Sequence, residues 1–376
     1  MCDILHESKQ TGTKSIPVHE SIGTVLAHDI TEIRQGEFKG PAFKKGHIIR
    51  EEDVCRLQRL GKEHLFVLHV AEDEMHENDA AYALANALMG DGVAIKGEPK
   101  EGKIDLMAVR DGLLKIDRDA LFQFNLVGEV MCATLHDNTV VKKGQTVAGT
   151  RAIPMVVKRA IVDEAVKTAR WGQGSGAKGQ GAIQVRELRK PKAGVVITGN
   201  EVYYGRIKDA FAPIIAKKIN EFGGAVVGVY YAPDDKAFIA DRLRELLNAG
   251  ADLLITTGGM SVDPDDVTRF AIRDLGATDI TYGSAVLPGA MFLVAYLEQG
   301  PETCSQDPAP RIFYPVPILG IPACGMYHKT TIFDLILPRV LAGDKIGRRE
   351  LAALGHGGLC MNCDVCRYPI CPFGKE

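Results

Sequence analysis

Three short segments of the chain place acidic side chains beside glycines or small polar residues. Residues 198–209 begin TGNE and end at Asp209, residues 233–235 read PDD, and residues 257–266 read TGGMSVDPDD. An apolar run of strand length precedes each segment. Because the carboxyl ends of parallel strands meet at one edge of a sheet, we expect the three segments to lie together.

The glycines and the acids of these segments predict one kind of ligand. A turn at Gly258 and Gly259 lets backbone amides approach an anion at the start of the following helix. Carboxylates next to a phosphate repel it unless a divalent cation lies between them, and Mg²⁺ prefers such oxygen ligands. The set therefore predicts a site for a phosphorylated ligand held through Mg²⁺. For single residues such as Asp235 or Asp265, capping of a helix N-terminus is the alternative interpretation.

The elements around these segments predict the fold that positions them. Apolar runs at 193–197, 225–230 and 251–255 alternate with amphipathic helical patterns at 211–222, 236–249 and 266–275. This alternation predicts an α/β domain over residues 186–345, with a doubly wound and mostly parallel sheet. A mixed α+β unit (1–75), a β-rich barrel or sandwich module with flanking helices (76–170) and a glycine-rich linker (171–185) precede it. A cysteine-rich tail (346–376) follows.

As a set, the loop motifs resemble a known family. The runs TGNEV at 198–202, IKD at 207–209, DD at 234–235 and TGG-x-S with a later Asp266 are similar to the molybdopterin-binding domain of molybdenum-cofactor biosynthesis enzymes. The resemblance covers roughly residues 191–344, and residues 17–30 resemble the opening of the molybdopterin molybdenumtransferases. It implies binding of molybdopterin or its adenylylate, followed by Mg²⁺-dependent transfer of molybdate, or of tungstate, to the dithiolene.

The resemblance also implies roles for individual residues. Glu201 and Asp266 would be catalytic and would hold Mg²⁺. The residues that would contact the cofactor are Thr198, Gly199, Asn200, Asp209, Asp234, Asp235, Thr257, Gly258, Gly259 and Ser261. A homodimer is expected, with a recipient molybdoenzyme as a further partner.

The chain departs from the family's pattern at several positions. Asn200 replaces an aspartate, Ala290 stands where a Pro-Gly-Lys turn would place an anion-binding lysine, and Cys324 lies in a turn that usually carries asparagine and a second proline. Binding is expected to survive these changes more readily than insertion of the metal. Two alternatives to a transferase therefore stay open: a non-catalytic carrier or chaperone of the cofactor, and a nucleotide pyrophosphatase sharing the domain.

Four cysteines in the last seventeen residues form a C-x₂-C-x₂-C-x₄-C pattern. They are Cys360, Cys363, Cys366 and Cys371. Three cysteines at this spacing can reach three corners of a [4Fe–4S] cluster, although the fourth lies one residue further than in ferredoxin runs. Zinc is an alternative, as are thiols used for redox chemistry or molybdenum handling without a stable metal.

Composition excludes some classes of partner. The formal net charge is −3 and basic residues are scattered among acidic ones, so we expect no nucleic-acid partner. No run approaches the roughly 20 apolar residues of a membrane helix, and the first residues show no secretory signal. We therefore expect a cytoplasmic protein that does not associate with membranes.

Overall fold

A computed structural model describes residues 13–34, 38–68, 70–169, 181–260, 267–298 and 315–375. The chain divides into two compact units. The first comprises Met1–Arg110, Lys115–Leu135 and Lys142–Val185. The second comprises Asp111–Leu114, His136–Val141 and Arg186–Glu376.

In the first half of the chain, the described residues alternate short strands with four α-helices. Its strands are β1 Thr13–Pro17, β2 Ile30–Arg34, β3 Phe38–Phe43, β4 His64–Leu68, β5 Glu74–His76, β6 Val93–Lys100, β7 Lys103–Ala108, β8 Gly112–Ile116, β9 Val130–Thr134, β10 Val140–Val141, β11 Thr146–Ala152, β12 Val156–Lys158 and β13 Ile183–Arg186. Its α-helices are α1 Glu51–Arg59, α2 Glu77–Leu88, α3 Arg118–Leu126 and α4 Arg159–Thr168. A 3₁₀ helix covers Val18–Glu20.

Within the first unit, the main sheet has four antiparallel strands in the order β6-β7-β11-β9. Helix α2 packs on β6, β7 and β11, and α3 packs on β9. The sequence predicted a barrel or sandwich module with flanking helices here. In the structure, α2 and α3 flank the sheet, and the fully buried Leu84 and Leu88 of α2 and Phe124 of α3 supply the apolar layer against it. The mixed α+β and β-rich character predicted for this half is confirmed.

The second half of the chain contains the predicted alternation of strands and helices. Its strands are β14 Lys192–Thr198, β15 Ala225–Ala232, β16 Leu253–Thr257, β17 Thr278–Tyr282, β18 Leu293–Leu297 and β19 Val316–Ile321. Its α-helices are α5 Asn200–Tyr203, α6 Phe211–Glu221, α7 Lys236–Asn248, α8 Thr268–Asp274, α9 Ile332–Leu341 and α10 Arg348–Ala353. A 3₁₀ helix covers Ala323–Met326. None of the described helices is both long and apolar enough to cross a membrane.

The six strands described in this half form one sheet in the order β15-β14-β16-β19-β18-β17. The first four are parallel, whereas β18 and β17 are antiparallel to their neighbours. This topology confirms the predicted mostly parallel α/β fold. Thr257 lies opposite both Ile197 and Ile321, and Thr198 lies opposite Ala232. The carboxyl ends of four strands therefore meet at one edge, which we call the carboxyl edge.

Helices bury both faces of the sheet. Val195 and Ile197 of β14 belong to a core shared with α6 and α9, while Val196 between them belongs to the core shared with α7 and α8. This burial on both faces explains why the strands read as continuous apolar runs rather than as alternating patterns.

The end of the chain packs onto this domain. Phe373 is 4% exposed and lies in the same core as α9. The hydroxyl of Tyr368 donates to the carbonyl of Asp334 at 3.2 Å. Residues 357–375, which are part of the cysteine-rich tail predicted over 346–376, therefore pack against the α/β domain.

Candidate functional site

Buried hydrogen bonds join the loops at the carboxyl edge. The hydroxyl of Thr198 donates to the carbonyl of Thr257 at 2.9 Å and lies 3.0 Å from the hydroxyl of Thr268. The amide of Asn200 donates to a carboxylate oxygen of Asp234 at 3.1 Å, and the amide of Asp234 donates back to the Asn200 side chain at 3.4 Å. The loop after β14 is thus fastened to the loops after β16 and β15.

The glycines after β16 are required by their surroundings. Gly258 and Gly259 have φ angles of +79° and +56°, a region that L side chains rarely adopt. A Cβ atom at Gly258 would lie 2.2 Å from the carbonyl oxygen of Thr198. A Cβ atom at Gly259 would lie 2.2 Å from the hydroxyl of Thr268. The loop therefore passes closely over the end of β14 and keeps backbone, rather than side chain, at this part of the edge.

The acidic residues of the motif divide into two groups. The carboxylate of Asp209 accepts hydrogen bonds from the amides of Phe211 and Ala212 at 2.7 and 3.1 Å, at the start of α6. Asp235 caps α7 by accepting from the amide of Phe238 at 2.7 Å, which is the capping alternative predicted from sequence. Glu201, by contrast, is exposed in α5, and its side chain makes no hydrogen bond or ion pair with the described residues.

The structure gathers most of the predicted contact residues at the carboxyl edge. Those brought together are Thr198, Gly199, Asn200, Glu201, Asp234, Thr257, Gly258 and Gly259. The carboxylates of Asp209 and Asp235 bind the first turns of their helices. Ser261 and Asp266 lie outside the described residues, as do Asp263 and Asp265.

The described carboxylates do not form a Mg²⁺ site. No group of three His, Cys, Asp or Glu side chains within the described ranges could hold one metal ion. Asp209 and Asp235 are occupied by backbone amides, and Asp234 accepts from Asn200. The part of the chain that the structure describes therefore does not fit a bound Mg²⁺, and we assign no chemical step to this ion.

Two contacts at the edge escaped the sequence analysis. The hydroxyl of Tyr282, at the end of β17, donates to the carbonyl of Met260. Thr268 anchors the glycine loop through Thr198, as described above. No sequence signal marked either residue, because an isolated Tyr or Thr has many structural roles and β17 has no continuous apolar run.

The departures from the family pattern are also visible. Ala290 is exposed in the loop between β17 and β18, and its carbonyl accepts from the amide of Ser284 at 2.8 Å. Cys324 lies in the 3₁₀ helix after β19, and burial raises the pKa of its thiol. The turn at 288–290 thus brings no cation of its own to the edge.

The four cysteines near the end of the chain line one cavity of about 330 Å³, together with residues 327–330. Cys360 and Cys371 are half-buried and pack against the core, whereas Cys363 and Cys366 are exposed. The Thr330 hydroxyl, 3.3 Å from the Cys366 sulfur, lowers the pKa of that thiol, with help from a backbone hydrogen bond at Tyr368. All four thiols are free, and no three of them converge on one point in the described structure.

The α/β unit matches a family of known type. Residues 194–341 match the family model described as a probable molybdopterin binding domain. Residues 15–69 match a domain of unknown function. Residues 194–341 therefore form a probable molybdopterin-binding domain, which supports a role in molybdenum-cofactor binding or biosynthesis.

Curated relatives match a short part of the chain. A CinA-like protein of Mycobacterium avium (strain 104) is 38% identical over 89 residues, covering 22% of this chain and 20% of the relative. A CinA-like protein of Mycobacterium tuberculosis (strain ATCC 25177 / H37Ra) is 39% identical over 93 residues, covering 23% and 22%. The matched part of the chain thus spans about a fifth of the length of these relatives.

Several solved structures are also similar. The tungsten cofactor synthesizing protein MoaB from Pyrococcus furiosus is 18% identical, covering 41% of this chain and 96% of its own, with a TM-score of 0.31. The molybdopterin biosynthesis moea protein from Pyrococcus horikosii is 16% identical, covering 90% and 75%, with a TM-score of 0.30. The protein CinA from Thermoplasma acidophilum is 17% identical, covering 37% and 94%, with a TM-score of 0.30.

Proposed function

We propose that this protein binds molybdopterin or its adenylylate at the carboxyl edge, as a step of molybdenum- or tungsten-cofactor biosynthesis. The observation that carries the proposal is the match of residues 194–341 to the molybdopterin-binding family. The glycine loop supports it, because backbone amides held at fixed positions are suited to a phosphate group. Thr198 holds that loop in place before any ligand arrives.

Glu201 is the acid to which we assign chemistry. Its carboxylate is exposed and makes no hydrogen bond with the described residues, so it is available to take a proton from a water or a ligand hydroxyl. In the transferase form of the proposal, this proton transfer accompanies release of the nucleotide and transfer of molybdate to the dithiolene. In this proposal, the residue that would hold Mg²⁺ is Asp266, which lies outside the described residues.

Calorimetry with molybdopterin and with its adenylylate, in the presence and absence of Mg²⁺, tests the proposal. Glu201→Gln should retain binding and lower turnover of the adenylylate about 10²- to 10⁴-fold. The control is Asp241→Asn on α7, whose carboxylate pairs with Arg244 in solvent and which should change neither quantity. If the wild-type protein binds neither ligand under either condition, the proposal is wrong.

A non-catalytic carrier is the second candidate, and Ala290 favours it because the anion-binding lysine of the transferases is missing there. A carrier would bind the cofactor with no turnover of the adenylylate in the wild-type protein. Release of nucleoside monophosphate from dinucleotides lacking a pterin would instead identify a pyrophosphatase. Sedimentation of the purified protein tests the expected homodimer, and capture with candidate molybdoenzymes tests the recipient.

The cysteines carry a separate proposal, namely that they bind a [4Fe–4S] cluster or zinc. All four line one cavity. Cys360 and Cys371 are half-buried and fixed by packing, and the exposed Cys363 and Cys366 would move towards them to bind the same metal group. The loop between them can adjust, because the backbone of residues 361–366 makes no hydrogen bond to the described backbone. Anaerobic purification followed by iron, sulfide and zinc analysis decides between the metals. Protein free of all three would refute metal binding.

A further inference from the structure

An arginine lies beside the loop at Gly258 and Gly259, and no carboxylate of the described residues is its partner. Arg269 is the second residue of α8. The carbon of its guanidinium lies 5.6 Å from the ring centroid of Tyr282 and 4.9 Å from that of Phe270. Both distances fall within the range of cation–π contacts, so the two rings hold the side chain in place.

Tyr282 places this cation at the carboxyl edge. Tyr282 lies opposite Leu293, Leu293 opposite Gly320, and Gly320 opposite Thr256. The end of β17 thus lies beside the last residues of the parallel strands. The Tyr282 hydroxyl donates to the carbonyl of Met260, the residue that follows the two glycines. One ring therefore touches both the glycine loop and Arg269.

One donor of Arg269, its Nε, is not used within the described structure. Its Nε is buried and has no hydrogen-bond partner, and its guanidinium forms no ion pair with a described carboxylate. Two nearby arginines of the domain, Arg242 and Arg273, differ in this respect. Arg242 also has a buried Nε without a partner, but its guanidinium pairs with Glu245 at 2.8 Å, and Arg273 lies 3.6 Å from Asp274.

A buried, charged donor without an acceptor is costly, and an oxyanion ligand would satisfy it. The planar fork of arginine matches the oxygens of phosphate in a bidentate manner, and stacking on aromatic rings fixes its orientation. The edge also needs a cation, because Ala290 offers none and the carboxylates of Glu201 and Asp234 repel anions.

We propose that Arg269 is the cationic contact for an oxyanion bound beside the glycine loop, replacing the charge that is missing at Ala290. The oxyanion is the phosphate of the pterin ligand or a molybdate ion, which share tetrahedral oxygens and negative charge. This inference rests on the proposed function, since that function supplies the ligand. Arg269 acts here in binding and orientation, and no proton transfer is assigned to it.

Three variants test the contact. Arg269→Gln should weaken binding of molybdopterin about 10- to 100-fold, because a charge-assisted contact is lost. Arg269→Lys keeps the charge without the fork and should give an intermediate loss. Arg273→Gln is the matched control, since it lies on the same helix at 5.4 Å from the same Phe270 ring but already has Asp274 as a neighbour. The control should stay within about twofold of wild type.

Titrations with inorganic phosphate and with molybdate identify the oxyanion. If Arg269→Gln loses affinity for only one of the two ions, the contact is assigned to that ion. A second measurement uses only the wild-type protein, so it does not depend on whether a variant folds. Arginines are modified by phenylglyoxal, and the modified residues are identified by mass spectrometry. Phosphate or molybdate should protect Arg269 and leave Arg273 unprotected. Unchanged affinity in Arg269→Gln, together with no protection of Arg269, would overturn the inference while leaving pterin binding intact. Failure of the wild-type protein to bind the pterin would instead remove the proposed function.

Discussion

Replacement of Thr198 by valine probes the hydrogen bonds that hold the loops together. Valine keeps the shape of the side chain and removes the hydroxyl. The structure shows two contacts of normal length, at 2.9 Å to the carbonyl of Thr257 and 3.0 Å to the hydroxyl of Thr268. Thr198 is 3% exposed, so water cannot replace the lost partner without a rearrangement. At about 1 kcal/mol for each contact, Thr198→Val should lower the free energy of unfolding by about 2 kcal/mol.

The same edge offers a matched control. Thr256 is fully buried, and its hydroxyl has no hydrogen-bond partner among the described residues. Thr256→Val therefore removes an unsatisfied polar group and should be neutral or stabilising by up to about 1 kcal/mol. Urea unfolding of the full chain, with hydrogen exchange of peptides from β14 and β16, measures both effects at the site. Equal stability of the two variants would refute the assigned hydrogen bonds.

Three further predictions concern other parts of the domain. Gly258→Ala should lower the free energy of unfolding by about 1 to 3 kcal/mol more than Gly250→Ala. Both glycines have positive φ angles, but only at Gly258 would the added Cβ have another atom within 4 Å. Equal melting temperatures of the two variants would contradict this. Phe373→Ala should cost about 3 to 5 kcal/mol because the ring is buried in the core, and an unchanged urea midpoint would show that the end of the chain is not seated there. Because its pKa is lowered by Thr330, the thiol of Cys366 should be alkylated by iodoacetamide near neutral pH faster than that of the exposed Cys55. Thr330→Val should reduce the difference, because only the backbone hydrogen bond at Tyr368 and the charge of Lys329 would then lower the pKa of Cys366. Peptide mapping that finds equal rates in the wild type would contradict the proposed hydrogen bond.

Much of the α/β domain was predictable because its strands are buried on both faces. The apolar run at 193–197 lies within β14, the run at 251–255 overlaps the start of β16, and the helical pattern at 236–249 matches α7 to within one residue. β17 was missed because its residues are mostly exposed at the edge of the sheet and carry no apolar run.

Prediction of the site was limited by what a residue type can say about its partners. The glycine turn was recognisable because two consecutive glycines before an acidic run have few structural uses. The sequence could not decide whether Asp209 and Asp235 bind a ligand or cap helices, since both roles use the same carboxylate. Their short bonds to the amides of α6 and α7 show the capping contacts. Arg269 escaped notice because its importance depends on Tyr282 and Met260, which are distant in sequence.

The seating of the chain's last residues has a thermodynamic consequence for the whole domain. Phe373 belongs to the core of the α/β unit, while Cys360 and Cys371 pack against the same core. A ligand that binds these thiols only in the folded protein stabilises the folded state. The gain is about 2.7 kcal/mol when the ligand concentration is 100 times its dissociation constant. Occupancy of the thiols and the folded fraction of the domain that carries the proposed pterin site are then linked quantities. A cell that depletes such a ligand, or oxidises the thiols that receive it, would lower the amount of folded domain as well as its ligand content.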